Sequence, residues 1–261
     1  MHHPVPSVAS RSLIHHTGFW FFPVAFVARL PFAMMTVGVL ALVVAVRGSV
    51  ALGGLTSAAV GIGVVVAGPI LGDLVDRYGQ SRVLVPTGLA NGILLALFPL
   101  VVDSPLGDGF VLAAAVAIGL TGPQTAAMSR SRVMALIGDR IAPDRRERTF
   151  SRAMAYESAA DETAFVIGPF VVGVLAAVLA PWAPIVAAAV LSFVFVTAFA
   201  LHPTGRVVPV ASERGAMAPA RELLRPRLVV LVVAVVGVGA FFGSTLTSLT
   251  AFMEARGAAE A

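Results

Sequence analysis

Three ionisable side chains stand inside stretches that are otherwise apolar: Arg29, Asp161 and Glu162. A charge at the centre of a membrane-spanning helix costs about 2.5–3.5 kcal/mol on insertion scales. Such groups are expected to be paired, to face water or to exchange protons. Arg29 lies about ten residues into one apolar run and Asp161 about nine into another, so both sit at similar depth if the two runs cross a bilayer in the same direction. A pair between helices, Arg29 with Asp161 or Glu162, is the expectation. Adjacent side chains point roughly 100° apart on a helix, so one arginine does not readily serve both acids. The acid left over is a candidate for taking up and releasing a proton. The other reading of the three charges is structural, a lock between two helices. Glu157 precedes Asp161 by four residues and shares its face; it is expected to pair with arginines nearer the membrane surface, Arg77 or Arg132.

Uncharged polar residues within the apolar runs are few. Thr36 follows Arg29 by seven residues and lies on the same helix face. Thr36, Asn91 and Gln124 are candidates for a substrate pathway. Gly243, Ser244, Thr245, Thr247 and Ser248 suit either helix packing or that pathway.

No catalytic or metal-binding set accompanies these residues. The chain has no Cys, which excludes disulfides, thiolate metal sites and Cys nucleophiles. It has no Lys either, which excludes a standard phosphate-binding Walker loop and a retinal Schiff base. His2, His3, His15, His16 and His202 lie outside the apolar runs, so they cannot hold a haem between membrane helices, and without carboxylates the first four make a poor metal site. No enzymatic activity, no cofactor and no metal are expected.

The elements that must position these groups are membrane helices. Hydrophobic residues make up 58% of the 261 and charged residues only 12%, against about 25% charged in soluble domains. Seven apolar runs, at about 19–46, 51–71, 83–102, 109–129, 153–180, 184–201 and 228–250, each approach the roughly 20 residues that cross a bilayer as helix. They are twice too long for barrel strands. Phe19 to Phe22 and Trp182 read as interfacial anchors. The domain reading is a cytoplasmic tail at 1–18, a six-span half at 19–201, a Pro- and Gly-rich linker at 202–227, and a seventh span with a short tail at 228–261.

The arginines orient the bundle. With the N-terminus in the cytoplasm, fifteen arginines fall on the inner side and only Arg47 and Arg256 on the outer. This is the asymmetry the positive-inside rule demands. The net charge of +4 is explained by orientation, and no nucleic-acid partner is implied. The most charged stretch, Gly138 to Arg152, reads as a solvated loop that fixes topology or meets a partner or anionic lipid.

A short charged hinge joins the second and third runs, reading GPILGDLVDRYGQSRVL from Gly68 to Leu84. Gly72, Asp76-Arg77, Gly79 and Arg82 resemble the loop motif that joins the second and third spans of the major facilitator superfamily on its cytoplasmic side. Ser81-Arg82 stands where that family usually has two basic residues. Gly168-Pro169 matches the family's fifth-span antiporter motif in part, with a single Gly173 where two adjacent glycines are expected. Pro31 with Pro123, and Gly68-Pro69 with Gly168-Pro169, echo its inverted three-span repeat.

The resemblance implies an all-α polytopic membrane bundle: the six-span N-terminal half of a major-facilitator fold plus one further span. It implies that Gly72, Asp76, Arg77, Gly79 and Arg82 form a gating loop, and that the first, fourth and seventh spans line a central cavity. A full member has twelve spans, so the second half is expected in cis or on another chain. The function expected is secondary active transport of small molecules across the plasma membrane, with proton-coupled efflux as one form. The alternative is a seven-span membrane protein that transports nothing: a receptor, a scaffold or an inert remnant. Five further apolar runs encoded downstream would exclude that alternative.

Overall fold

The computed structural model describes residues 12–207 and 225–255. The tail up to residue 11, most of the linker (208–224) and residues 256–261 lie outside them. Among the described residues every regular element is helical.

Among the described residues seven helical segments are long and apolar enough to cross a membrane: Phe21–Arg47, Val50–Tyr78, Gln80–Asp103, Asp108–Arg140, Pro143–Val178, Ala183–Leu201 and Pro226–Leu249. Their outward faces are as apolar as their inward ones. Val65, Phe170 and Val178 are 69–74% exposed, which fits helices whose solvent is lipid. A polytopic membrane bundle results, preceded by a short helix, α1 (Leu13–Thr17).

Two of the spans are broken, each at a proline. The first consists of α2 (Phe21–Val27) and α3 (Leu30–Arg47), with Pro31 in the opening turn of α3. Proline has no N–H and crowds the carbonyl one turn back. Within the break, the Ala28 carbonyl accepts from the Thr125 hydroxyl at 3.1 Å. The fourth span consists of α6 (Asp108–Leu120) and α7 (Thr125–Arg140), parted at Thr121–Gln124, where Pro123 sits. Each break holds a polar residue: Arg29 in one, Gln124 in the other.

The spans are longer than their apolar runs, and this corrects two expectations. The charged hinge is a loop of one residue, Gly79, between α4 (Val50–Tyr78) and α5 (Gln80–Asp103). Gly79 has φ +87° and ψ 155°, a conformation that side-chain-bearing residues avoid. The stretch from Gly138 to Arg152 is also mostly helical: α7 runs to Arg140 and α8 (Pro143–Val178) starts three residues later. Arg130 and Arg132 therefore belong to the fourth span. The sixth span passes from α9 (Ala183–Leu191) through a π-helical turn, Ser192–Val196, to α10 (Thr197–Leu201).

The core is shared by the first six spans. Met34, Val39, Leu95, Phe98, Ile118 and Ile185 are buried at its centre. The second and fourth spans touch backbone to backbone at Gly63 and Gly119. The third and sixth close at Gly88, whose carbonyl accepts from the Ser192 hydroxyl at 3.0 Å. On the side opposite the hinge, Arg47 donates to the carbonyls of Val102, Ser104 and Leu106 at 2.7–3.0 Å. It thereby satisfies acceptors that the end of α5 leaves open. The seventh span, α11 (Pro226–Ala255), lies against α4.

Candidate functional site

The Arg29 side chain lies in the break of the first span and is buried. Its Nε donates to Asp161 Oδ1 at 2.7 Å, and its Nη1 donates to the Ala25 carbonyl at 3.1 Å. Its Nη2 donates to Glu157 Oε2. Glu157 accepts a second bond from the Ser129 hydroxyl at 2.9 Å. Asp161 accepts on its other oxygen from Arg130. Two guanidiniums and two carboxylates from the first, fourth and fifth spans thus form one chain: Glu157, Arg29, Asp161, Arg130. Pairing of this kind makes buried ions tolerable, because each hydrogen-bonding valence lost to water is replaced.

The arrangement departs from the expected one at two places. Glu157 is the second partner of Arg29; Arg77 and Arg132 are engaged elsewhere. Glu162 stands exposed, with no ion pair among the described residues. The reason is angular. Glu157 and Asp161 are one helical turn apart and face the same neighbour, whereas Glu162 is rotated by about 100°.

Arg29, Gln124 and Asp161 line a cleft of about 120 Å³ together with Pro123, Thr125 and Phe165. Thr36 lies in a second, larger cleft of about 830 Å³, between the first, second and seventh spans. Ser57, Ser244, Thr247 and Ser248 supply hydroxyls there, Phe32, Met35 and Val64 supply apolar wall, and among the described residues the lining carries no charge. The Ser57 hydroxyl is buried without a hydrogen-bond partner among the described residues. Asn91 lines neither cleft. It is fully buried and donates to the Ile118 carbonyl at 3.0 Å, joining the third span to the fourth.

The hinge residues are divided between surface and interior. Arg77 pairs with Asp73, one turn back, at 2.9 Å in an exposed position. Asp76 is half-buried, while Gly72 and Arg82 are exposed. The inward face of the hinge is carried by Gln80, which the sequence reading passed over, and by Ser81 and Arg132, which it placed in other roles. Gln80 is buried; it donates to the Ser131 hydroxyl at 2.6 Å and accepts from Arg132 Nε at 2.7 Å. Ser81 donates to the Ala200 carbonyl at 2.5 Å. Arg132 has no exposed surface, donates to the Phe199 carbonyl at 2.7 Å and stacks 3.9 Å from the Phe199 ring centre. Burial, and next the Arg132 guanidinium, hold the nearby His202 imidazole below its ordinary pKa. The hinge is therefore tied to the fourth and sixth spans on its own side of the membrane. The one available signal was Gln80 itself, an amide beside a turn glycine and next to an apolar run.

Six broken and unbroken spans around a shared core, a seventh span beside them, and a buried charge chain define a polytopic helical membrane protein with polar groups at mid-span. A family model described as the Major Facilitator Superfamily matches residues 21–259. The chain belongs to that superfamily, whose members are membrane transporters and not enzymes. No curated protein matches the chain. Among solved structures it is similar to the peptide transporter POT, crystallised in complex with alafosfalin, at 20% identity and a TM-score of 0.46. That match covers 87% of this chain and 46% of the transporter, so the chain spans about half the length of the structure it matches.

Proposed function

We propose that the chain is the N-terminal portion of a secondary active transporter of small molecules in the plasma membrane, with its N-terminus in the cytoplasm. The observation that carries this reading is the charge chain across three spans. Four ionisable groups linked across three helices of an apolar bundle are costly in a protein that only fills a membrane, and intramembrane ionisable groups are by default candidates for function. The chain borders a cleft that also holds Gln124 at the break of the fourth span. A substrate would pass along the cleft of Thr36, Ser57, Ser244 and Thr247. The hydroxyls there suit a mainly apolar solute with a few hydrogen-bonding groups.

Proton coupling is assigned to Glu162, the acid of the set without an ion pair among the described residues, and the gate to the Asp76–Arg77 hinge. In the complete carrier, reconstituted in liposomes under an imposed pH gradient, Asp76→Asn is expected to lower transport at an unchanged level of insertion. Glu162→Gln is expected to flatten the pH dependence with little loss of stability. Unaltered kinetics in Asp76→Asn would remove the gate, and an unaltered pH profile in Glu162→Gln would confine that acid to the surface of the fifth span.

The orientation rests on the arginine asymmetry and is supported by Arg47, one of the two outer arginines, which is engaged with three backbone carbonyls. Reporter fusions at Ser81 and Arg146 are expected to read cytoplasmic and a fusion at Asp103 external. A cytoplasmic signal at Asp103 would overturn the assignment.

A further inference from the structure

A third cleft, of about 790 Å³, opens between α1, which packs on α7, and the start of α8, on the same side of the membrane as the hinge. One wall is basic: Arg145, Arg148 and Arg152, with Thr149 between them. At about 100° per residue these four side chains fall within an arc of roughly 100°, and Tyr156 continues the same face one turn deeper. Glu147 points to the opposite side of α8 and is absent from the lining. The other wall is apolar: Leu13, Ile14, Phe19, Phe22 and Pro23. Phe22 packs edge-on against Tyr156 with ring centres 5.0 Å apart, closing the inner end. Phe19 and Ile14 remain 73% and 56% exposed.

Arg148 and Arg152 have neither ion pair nor hydrogen bond among the described residues, and Arg145 has only a long 3.9 Å approach to Asp144. The basic stripe occupies the last polar turns of α8 before its apolar stretch, at the level of the headgroups. Below it the cleft is aromatic and aliphatic. Cationic at headgroup depth and apolar beneath, it is complementary to one class of molecule present at that depth.

We propose that this cleft is a binding site for one anionic phospholipid. Its phosphate sits between Arg148 and Arg152, and an acyl chain lies against Ile14, Phe19 and Phe22. Through the lipid, α1 is held against the fifth span.

The test uses the purified chain in neutral detergent with native mass spectrometry. The probes are dioleoyl phosphatidylglycerol, dioleoyl phosphatidylcholine and inorganic phosphate. One phosphatidylglycerol is expected to be retained in preference to phosphatidylcholine. Arginines near a membrane surface each contribute about fivefold in affinity, so Arg148→Gln with Arg152→Gln is expected to weaken retention roughly twenty-five-fold. Arg140→Gln with Arg206→Gln removes the same charge elsewhere on that side and is expected to change it little. Ile14→Ser with Phe19→Ser, both exposed positions, is expected to weaken phosphatidylglycerol and leave the response to inorganic phosphate as it was. Equal retention of the two lipids, equal loss in the two arginine variants, or displacement of the lipid by inorganic phosphate alone would each overturn the proposal.

Discussion

Arg29→Ala is expected to destabilise the protein by about 3–5 kcal/mol, the usual cost of leaving a buried partner uncompensated. The loss should run mainly through Glu157. That carboxylate has no exposed surface, and without Arg29 it keeps only the Ser129 hydroxyl. Asp161 is partly exposed and retains Arg130. Neutralising the correct acid should therefore rescue the arginine deletion. Arg29→Ala with Glu157→Gln is expected to recover most of the lost stability, and Arg29→Ala with Asp161→Asn a smaller part. Expression level and thermal unfolding in detergent, measured for the single and double variants, give the two coupling energies. Additive losses for Arg29 with Glu157 would mean that the buried bridge contributes nothing.

That Glu157 is the deeper partner was not legible in the sequence, although much around it was. The spans are legible because lipid demands about 20 apolar residues per crossing whatever the tertiary packing. The pairing of Arg29 with Asp161 is legible because depth in a membrane is a linear coordinate that can be counted along the chain. Rotation about the helix axis is a different matter. The sequence places Glu157 on Asp161's face but pairs it with Arg77 or Arg132 nearer the membrane surface, whereas its carboxylate turns inward to Arg29 and Ser129 and is fully buried. The four-residue spacing of Glu157 and Asp161 was the usable signal, since two acids on one face ask for a common cation.

Arg132 illustrates a harder limit. By composition it is one more inner-side arginine, indistinguishable from Arg140 or Arg145. Its burial depends on acceptors supplied by Gln80 and Phe199, 52 and 67 residues away in sequence. No local pattern reports partners at such separation. Asn91 fails for the same reason in the opposite direction. A lone amide in a span can face a pathway or a neighbouring backbone, and only the position of the Ile118 carbonyl decides it.

The contact of Gly63 with Gly119 carries the other large expected effect. Apolar side chains gain little by leaving lipid for one another, so helices associate closely where small residues let backbones meet. The second and fourth spans do so here. A Cβ on Gly119 would overlap the Val60 carbonyl and approach Gly63 Cα to 2.9 Å; a Cβ on Gly63 would meet Leu120 N at 2.7 Å. These obstacles are backbone atoms and cannot rotate away. Gly119→Ala is expected to cost about 1–3 kcal/mol, as overpacking does, and Gly119→Leu to prevent recovery of folded protein. Ordinary helix propensity predicts the reverse, since alanine is favoured over glycine by about 1 kcal/mol in a helix interior. Gly68 and Gly173 supply the control, because an added Cβ meets nothing there within 4 Å. Gly68→Ala and Gly173→Ala are expected to be neutral or stabilising in the same detergent melts. Should Gly119→Ala melt no lower than Gly173→Ala, the two spans do not meet at Gly63 and Gly119, and the break at Pro123 would have to sit elsewhere against the second span.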